Sequence, residues 1–135
     1  PILKPVMPLP DLAREISGKT FIFDANPVQL ETLRLDFNDS AEATVLLTFT
    51  DHRLSSPSLI GLDGAYRTIP GQYNLPQGLR GYWADEKTFI LESDEIANNN
   101  HTIYQMLFQN EKIIIQGKET SHSLSLTVEG KMQNP

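Results

Sequence analysis

The sequence predicts an all-β chain: a single antiparallel up-and-down barrel of eight or nine short strands, with one short helix near the N-terminus. Three observations predict it. Apolar and polar residues alternate with period two in segment after segment, as half-buried strands require. Turn-forming residues separate these segments at close spacing, so each strand is followed by its neighbour through a short loop. Helical periodicity is almost absent. Sequential strands with one apolar face must hide that face and their edges by closing a barrel or stacking as a sandwich, and the short connections favour the barrel.

Residues 1–10 carry prolines at 1, 5, 8 and 10 among apolar residues. Dense proline excludes a helix interior or a central strand and favours extended chain. The segment reads as a linker arriving from an upstream domain, with a strap packed over a neighbouring surface as the alternative; the barrel domain is then 11–135. The start at Pro1, without methionine or signal peptide, suits a piece of something longer. Asp11 to Ile16 predicts a short helix with Leu12 and Ile16 on one face and Gly18 as its stop.

From Lys19 the chain reads as strands. Thr20 to Phe23 comes first, then a turn through Asp24–Pro27. Thr32 to Phe37 places Leu33, Leu35 and Phe37 inward, and Ala43, Val45, Leu47 and Phe49 share the face of the next strand. A weaker strand is expected around Ser58 to Leu62, and Gly71 to Gly78 reads as a loop. Leu79 to Glu92, which holds the only tryptophan, reads as a hairpin. An odd loop centred on Asp85-Glu86-Lys87 sets Trp83 opposite Phe89, Gly81 opposite Leu91 and Arg80 opposite Glu92. The large apolar groups then share one face, and a charge pair lies on the other. Lys87 suits such a loop poorly where it needs a left-handed residue. Asp94 to Asn100 reads as a polar loop, Ile103–Phe108 and Lys112–Gln116 as a hairpin about Asn110-Glu111, and Leu124, Leu126 and Val128 as the inward face of the last strand. The inward set includes Phe37, Phe49, Trp83, Phe89, Leu91, Leu107 or Phe108, and Leu126.

At 135 residues, with 39% hydrophobic and 21% charged residues, the composition is that of one ordinary globular domain. A net charge of -6 disfavours nucleic acid and anionic membrane surfaces as partners. Without cysteine there is no disulfide framework and no thiolate zinc site. No apolar run approaches the roughly 20 residues of a transmembrane helix.

Catalytic and metal motifs are missing. His52, His101 and His122 lie too far apart for a local metal motif and read as solvated surface histidines. Residues 94–100 offer oxygens to calcium but lack the spaced carboxylates and glycine of a calcium loop. Gly18-Lys19-Thr20 imitates the end of a phosphate-binding loop, yet Ala13 stands where its leading glycine belongs. No S-x-x-K pair and no G-x-S-x-G elbow occurs. Asn38-Asp39-Ser40 and Asn100-His101-Thr102 fit the glycosylation pattern, which matters only in a secreted eukaryotic chain. No catalytic, cofactor or metal residue is assigned.

Three segments carry a family resemblance: Ile16–Pro27 (ISGKTFIFDANP), Gly61–Arg67 (GLDGAYR) and Arg80–Phe89 (RGYWADEKTF). In this order they resemble the C-terminal accessory domain of bacterial serine hydrolases related to class C β-lactamases, and the likeness runs from about Ser17 to the last strand. The resemblance implies an all-β appendage, its partner the upstream hydrolase domain of the same polypeptide, in an exported or membrane-associated bacterial protein. The acylating serine and lysine of that family lie in the upstream domain of penicillin-binding type, so no catalytic residue carries over.

Two functional readings follow. In the first the chain is a non-catalytic accessory domain that packs on or regulates a hydrolase, with a filled interior and an outer apolar patch that includes Tyr82 and Ile90. In the alternative it is a lipocalin-like barrel that binds a small apolar ligand in its own cavity.

Overall fold

In the computed structural model the described residues are 5–52, 56–70, 76–95, 100–119 and 125–134, with side chains described at all of these except 69, 70, 76, 95 and 100. Helix α1 (Asp11–Ile16) forms where the sequence predicts it. Its buried face is Ala13 and Ile16, one turn apart, and Leu12 sits only at the margin of the core. Gly18 ends the helix at φ +78°, a conformation glycine enters without penalty. The Ser17 hydroxyl donates to the Phe37 carbonyl at 3.1 Å and accepts from the Phe37 N–H at 2.7 Å, so the helix end is tied to a strand. Residues 5–8 are exposed, and Leu9 packs against the core.

Ten strands follow among the described residues: β1 (Thr20–Phe23), β2 (Leu30–Phe37), β3 (Glu42–Phe49), β4 (Ser58–Gly61), β5 (Arg67–Pro70), β6 (Pro76–Trp83), β7 (Thr88–Glu95), β8 (Asn100–Gln109), β9 (Lys112–Glu119) and β10 (Ser125–Met132). They pair in the order β4-β3-β2-β1-β10-β9-β8-β7-β6-β5, and β4 also meets β6. Nine strands therefore close a barrel, with β5 as an extra strand along β6. All pairings are antiparallel except the closure, where Gly61 of β4 pairs with Arg80 of β6 in parallel. A Cβ at Gly61 would lie 1.9 Å from the Ala65 carbonyl oxygen, so the chain can double back here only over a glycine. Arg67 fastens this corner through Asp63 (Nη2–Oδ2 3.0 Å) and Glu42.

The central hairpin has the predicted register: Trp83 opposite Phe89, Gly81 opposite Leu91, Arg80 opposite Glu92. Ala84 N–H donates to the Thr88 carbonyl at 2.9 Å, and the Asp85 carboxylate accepts from Lys87 N–H at 2.8 Å. No residue of this turn has positive φ, so Lys87 is under no strain. Asn110 and Glu111 both do, at 55° and 62°, the geometry of a two-residue hairpin turn.

Several boundaries differ from expectation. β6 begins at Pro76 and β7 extends to Glu95, so 76–78 and 94–95 are strand, and Asn100 opens β8. These segments are polar and sit at a wet barrel end, where strands carry no apolar alternation. Strand β5 escapes prediction because Arg-Thr-Ile-Pro has no alternation to read. Phe108, 2% exposed, points inward, which sends Leu107 outward. Leu124 and 71–75 lie outside the described residues.

The core is aromatic at the helix end. Phe37, Phe89 and Phe108 surround Trp83 with centroids 5.5, 5.3 and 5.8 Å away, and Phe21 packs on Phe108 at 5.6 Å. Each such pair contributes about 0.5–1.5 kcal/mol beyond the area it buries. Trp83 is only partly buried, contrary to expectation, because it is the last residue of β6 and the chain turns away from it. Its indole Nε1 is nonetheless shut from water and finds no acceptor among the described residues.

Candidate functional site: the barrel interior

Register defines the inner wall row by row across β6 to β10. Nearest the helix end runs Phe108–Ile113–Gly130, the next row is Trp83–Phe89–Met106–Ile115–Val128, then Gly81–Leu91–Tyr104–Gly117–Leu126, and above it come Leu79, Ser93, Thr102 and Glu119. The wall thus passes from mostly aromatic and aliphatic residues to mostly polar ones along the barrel. Helix α1 packs Ala13 and Ile16 into the core at one end of the barrel.

Accessibility differs between inward positions. Phe89 is 0% and Phe108 2% exposed at the plugged end. Leu47, Phe49, Tyr104 and Leu126 also face inward, yet each stays only partly buried. Other inward residues of the same half, Leu30, Leu79 and Leu91 at 6% and Ser93 at 7% exposure, are buried, so the partial exposure is local to these four side chains. Two glycines shape the wall. The Phe89 ring lies over Gly81, and the Tyr104 ring lies within 3.0 Å of where a Cβ of Gly117 would stand.

The rim is chemically two-sided. On the β6–β9 side Gln77 donates from its amide to the Ser93 hydroxyl, beside Thr102 and Glu119. On the β2–β3 side of the ring Leu30 pairs with Phe49 and Leu47 lies one turn of the pleat below. Asn26 braces this lip, its amide donating to the Asp24 and Leu30 carbonyls at 2.8 Å while its carbonyl accepts from Leu30 N–H at 3.1 Å.

A second polar group lies on the outer face and went unpredicted as a unit. Glu92 accepts from Arg80 (2.9 and 3.1 Å), lies 3.2 Å from His101 Nε2 and 3.4 Å from the Tyr66 hydroxyl. Burial pushes the Glu92 carboxyl up, but the hydrogen bonds from Arg80 and His101 outweigh it and hold the group below the usual glutamate value. Burial raises the Tyr66 phenol. The Arg80 guanidinium stacks 4.3 Å over the Tyr66 ring and donates to the Gly64 carbonyl at 3.1 Å. This cluster bolts the β4–β5 connection to β6, β7 and β8. His101 is accordingly not a merely solvated histidine. His52 is exposed, as expected, and His122 lies outside the described residues.

Tyr82 and Ile90 face each other on the outer surface, Tyr82 49% exposed and Ile90 half-buried. Ile90 is diagonal to Leu107, which pairs with Ile114, so the four form an oblique apolar stripe across β6–β9. An open groove of about 410 Å³ lies across β8 to β10, lined by the outward Ile103, Gln105, Gln116, Lys118, Ser125 and Thr127 and also by Gly117 and Leu126 of the inward register. Among the described residues no group of three His, Asp or Glu could hold a metal ion, and no helix is long and apolar enough to cross a membrane.

No protein-family model matches the chain, and no curated protein matches it. Solved structures do. As-p18, an extracellular fatty acid binding protein, superimposes with a TM-score of 0.69 at 10% identity, over 94% of this chain and 100% of that one. Secretory abundant heat soluble protein 4 from Ramazzottius varieornatus gives 0.64 at 10% identity, over 76% of this chain and 69% of that one. At such identity the likeness speaks to fold, and the fold is that of a closed, lipocalin-like β-barrel.

Proposed function

We propose that this chain is a binding barrel that takes a small, largely apolar molecule into its own interior. One observation carries the reading: in a closed barrel, Leu47, Phe49, Tyr104 and Leu126 take inward register positions and yet stay only partly buried. Exposed apolar wall in a concave space is what an apolar ligand covers. The fold shared with a fatty acid binding protein supports it. Wall residues supply contact area, the rim supplies orientation, and no bond is made or broken.

The test is titration of the folded chain with an apolar fluorophore whose emission rises on leaving water, repeated with Leu126→Arg. Saturable one-site binding that the variant loses while remaining folded is expected. Absence of saturable binding by the wild-type chain would refute the reading.

A second reading is favoured by the Tyr82–Ile90–Leu107–Ile114 stripe, an apolar surface suited to docking on another domain. Together with the sequence resemblance it supports an accessory domain of a serine hydrolase, itself without catalytic residues. An S-x-x-K motif a few hundred residues upstream in the full gene product would support it, and a gene product without such a domain would remove it.

A further inference from the structure

We propose that the open groove on the outer face of β8 to β10 is a second binding site, for a small polyhydroxylated molecule with one anionic group, such as a sugar phosphate or a sugar acid. Register lays its outward residues out in two rows. Gln105 stands opposite Gln116 and Gln116 opposite Thr127, while Ile103 stands opposite Lys118 and Lys118 opposite Ser125. With Gly117 and Leu126 they line a space of about 410 Å³, the size of a small-molecule site. The polar members Gln105, Gln116, Lys118, Ser125 and Thr127 are all exposed, and among the described residues no side-chain hydrogen bond or ion pair engages any of them. Polar pairs on neighbouring strands elsewhere in the barrel do bond: the Gln77 amide donates to the Ser93 hydroxyl, and the Thr32 and Thr48 hydroxyls share a hydrogen bond. Gln105 and Gln116 stand directly opposite each other and do not. Each carboxamide therefore keeps two donors and an acceptor for water or a ligand, and the two hydroxyls keep theirs.

The charge of the lining sets the class of ligand. Acidic residues outnumber basic ones in the chain by 17 to 11, yet the lining holds Lys118 and no carboxylate. The cross-strand neighbours of Lys118 are Ile103 and Ser125, and Gln105 and Thr127 lie diagonal to it. Glu92 and Asp94 stand two strands away on β7, Glu92 held by Arg80 and His101, and Glu129 lies 3.8 Å from Lys112. Glu119 follows Lys118 in the chain but takes the inward register. The sequence that joins β9 to β10, Thr120-Ser121-His122-Ser123-Leu124, contains no carboxylate. An ammonium with no carboxylate beside it offers its charge to a phosphate or carboxylate of a ligand. The net charge of -6 weighs little against this contact, because salt at about 0.15 M screens exposed charges beyond about 8 Å. The amides and hydroxyls donate to and accept from sugar hydroxyls, and the partly buried Ile103 and Leu126 give apolar surface to the C–H face of a ring.

The experiment titrates the folded, isotope-labelled chain with four probes, a hexose phosphate, a hexuronic acid, the parent hexose and inorganic phosphate, and follows amide chemical shifts by NMR. Both charged sugars should give saturable shifts at the side-chain amides of Gln105 and Gln116 and the backbone amide of Lys118, the tighter of the two naming the anionic group. The hexose and inorganic phosphate should each bind at least roughly tenfold more weakly, tenfold being about 1.4 kcal/mol. Lys118→Ala should remove the advantage of the charged sugars over the hexose, Lys118→Arg should keep it, and Gln116→Ala should weaken all three sugars. These side chains are exposed, so the variants remain folded. A hexose that binds as tightly as the charged sugars, or phosphate that binds as tightly as the hexose phosphate, overturns the assignment. Shifts confined to inner-wall residues such as Leu91 and Met106 overturn it as well. If no probe gives a saturable shift in the groove, the second site falls while the binding-barrel reading stands.

Discussion

Replacing Trp83 by phenylalanine should leave the protein as stable as it is or slightly more so, although Trp83 is the largest side chain of the aromatic cluster. The indole contacts Phe37, Phe89 and Phe108 through its ring faces, and a phenyl group at the same position keeps those contacts. The change removes about 40 Å² of apolar surface, which at ~25 cal/mol per Å² costs about 1 kcal/mol at most, because the side chain is only partly buried. It also removes a buried N–H that finds no acceptor among the described residues, whose desolvation costs about 1–3 kcal/mol. The balance lies between roughly zero and +2 kcal/mol in favour of Trp83→Phe. Trp83→Ala empties the site and should cost about 3 kcal/mol, the lower end of the range for large aromatics. Urea unfolding followed by far-ultraviolet circular dichroism measures both, since either change removes the only tryptophan and its fluorescence. With a slope of about 1–3 kcal/mol per molar urea the two variants should differ by one molar or more, a rough figure from the same relation. Equal destabilisation by both changes would show that the indole N–H is satisfied and that the reasoning is wrong.

Gly61→Ala should destabilise by about 1–3 kcal/mol or more, because its methyl would meet the backbone carbonyl of Ala65 at the single parallel contact that closes the barrel. Faster amide exchange along β4 and the adjoining part of β6 is the accompanying signature, and unchanged exchange there would contradict the closure. Glu92 should contribute acid sensitivity. Its folded-state pKa is depressed, so its stabilisation is present above the ordinary glutamate value near 4.3 and is lost as pH falls through the folded value. Glu92→Gln should therefore flatten the fall in stability below about pH 4.3; urea midpoints at neutral and acid pH read it, and an unaltered pH dependence would remove Glu92 from the account.

The local parts of this structure were legible in the chain. Alternation sends Leu33, Leu35, Phe37, Ala43 and Val45 inward because strand side chains alternate whatever the partner strand is. The Leu79–Glu92 hairpin was determined by its own residues: only one register gathers Trp83, Phe89 and Leu91 on one face while pairing Arg80 with Glu92. Helix α1 likewise follows from Asp11–Ile16 and the glycine after it. What only the tertiary structure decided is what lies between strands distant in sequence. Gly61 meets Arg80 through a parallel contact that no hairpin rule foresees, and Tyr66, Arg80, Glu92 and His101 gather from four separate segments. The uneven burial of the inner wall is of the same kind. Leu47 and Phe49 read as ordinary core residues, yet they stay partly buried while their pairing partners Leu33 and Leu30 are buried. Pattern reports which face a residue takes, through the backbone's period of two. How far that face is from its opposite wall depends on barrel closure and on which end is plugged, and neither is written in any local stretch of sequence.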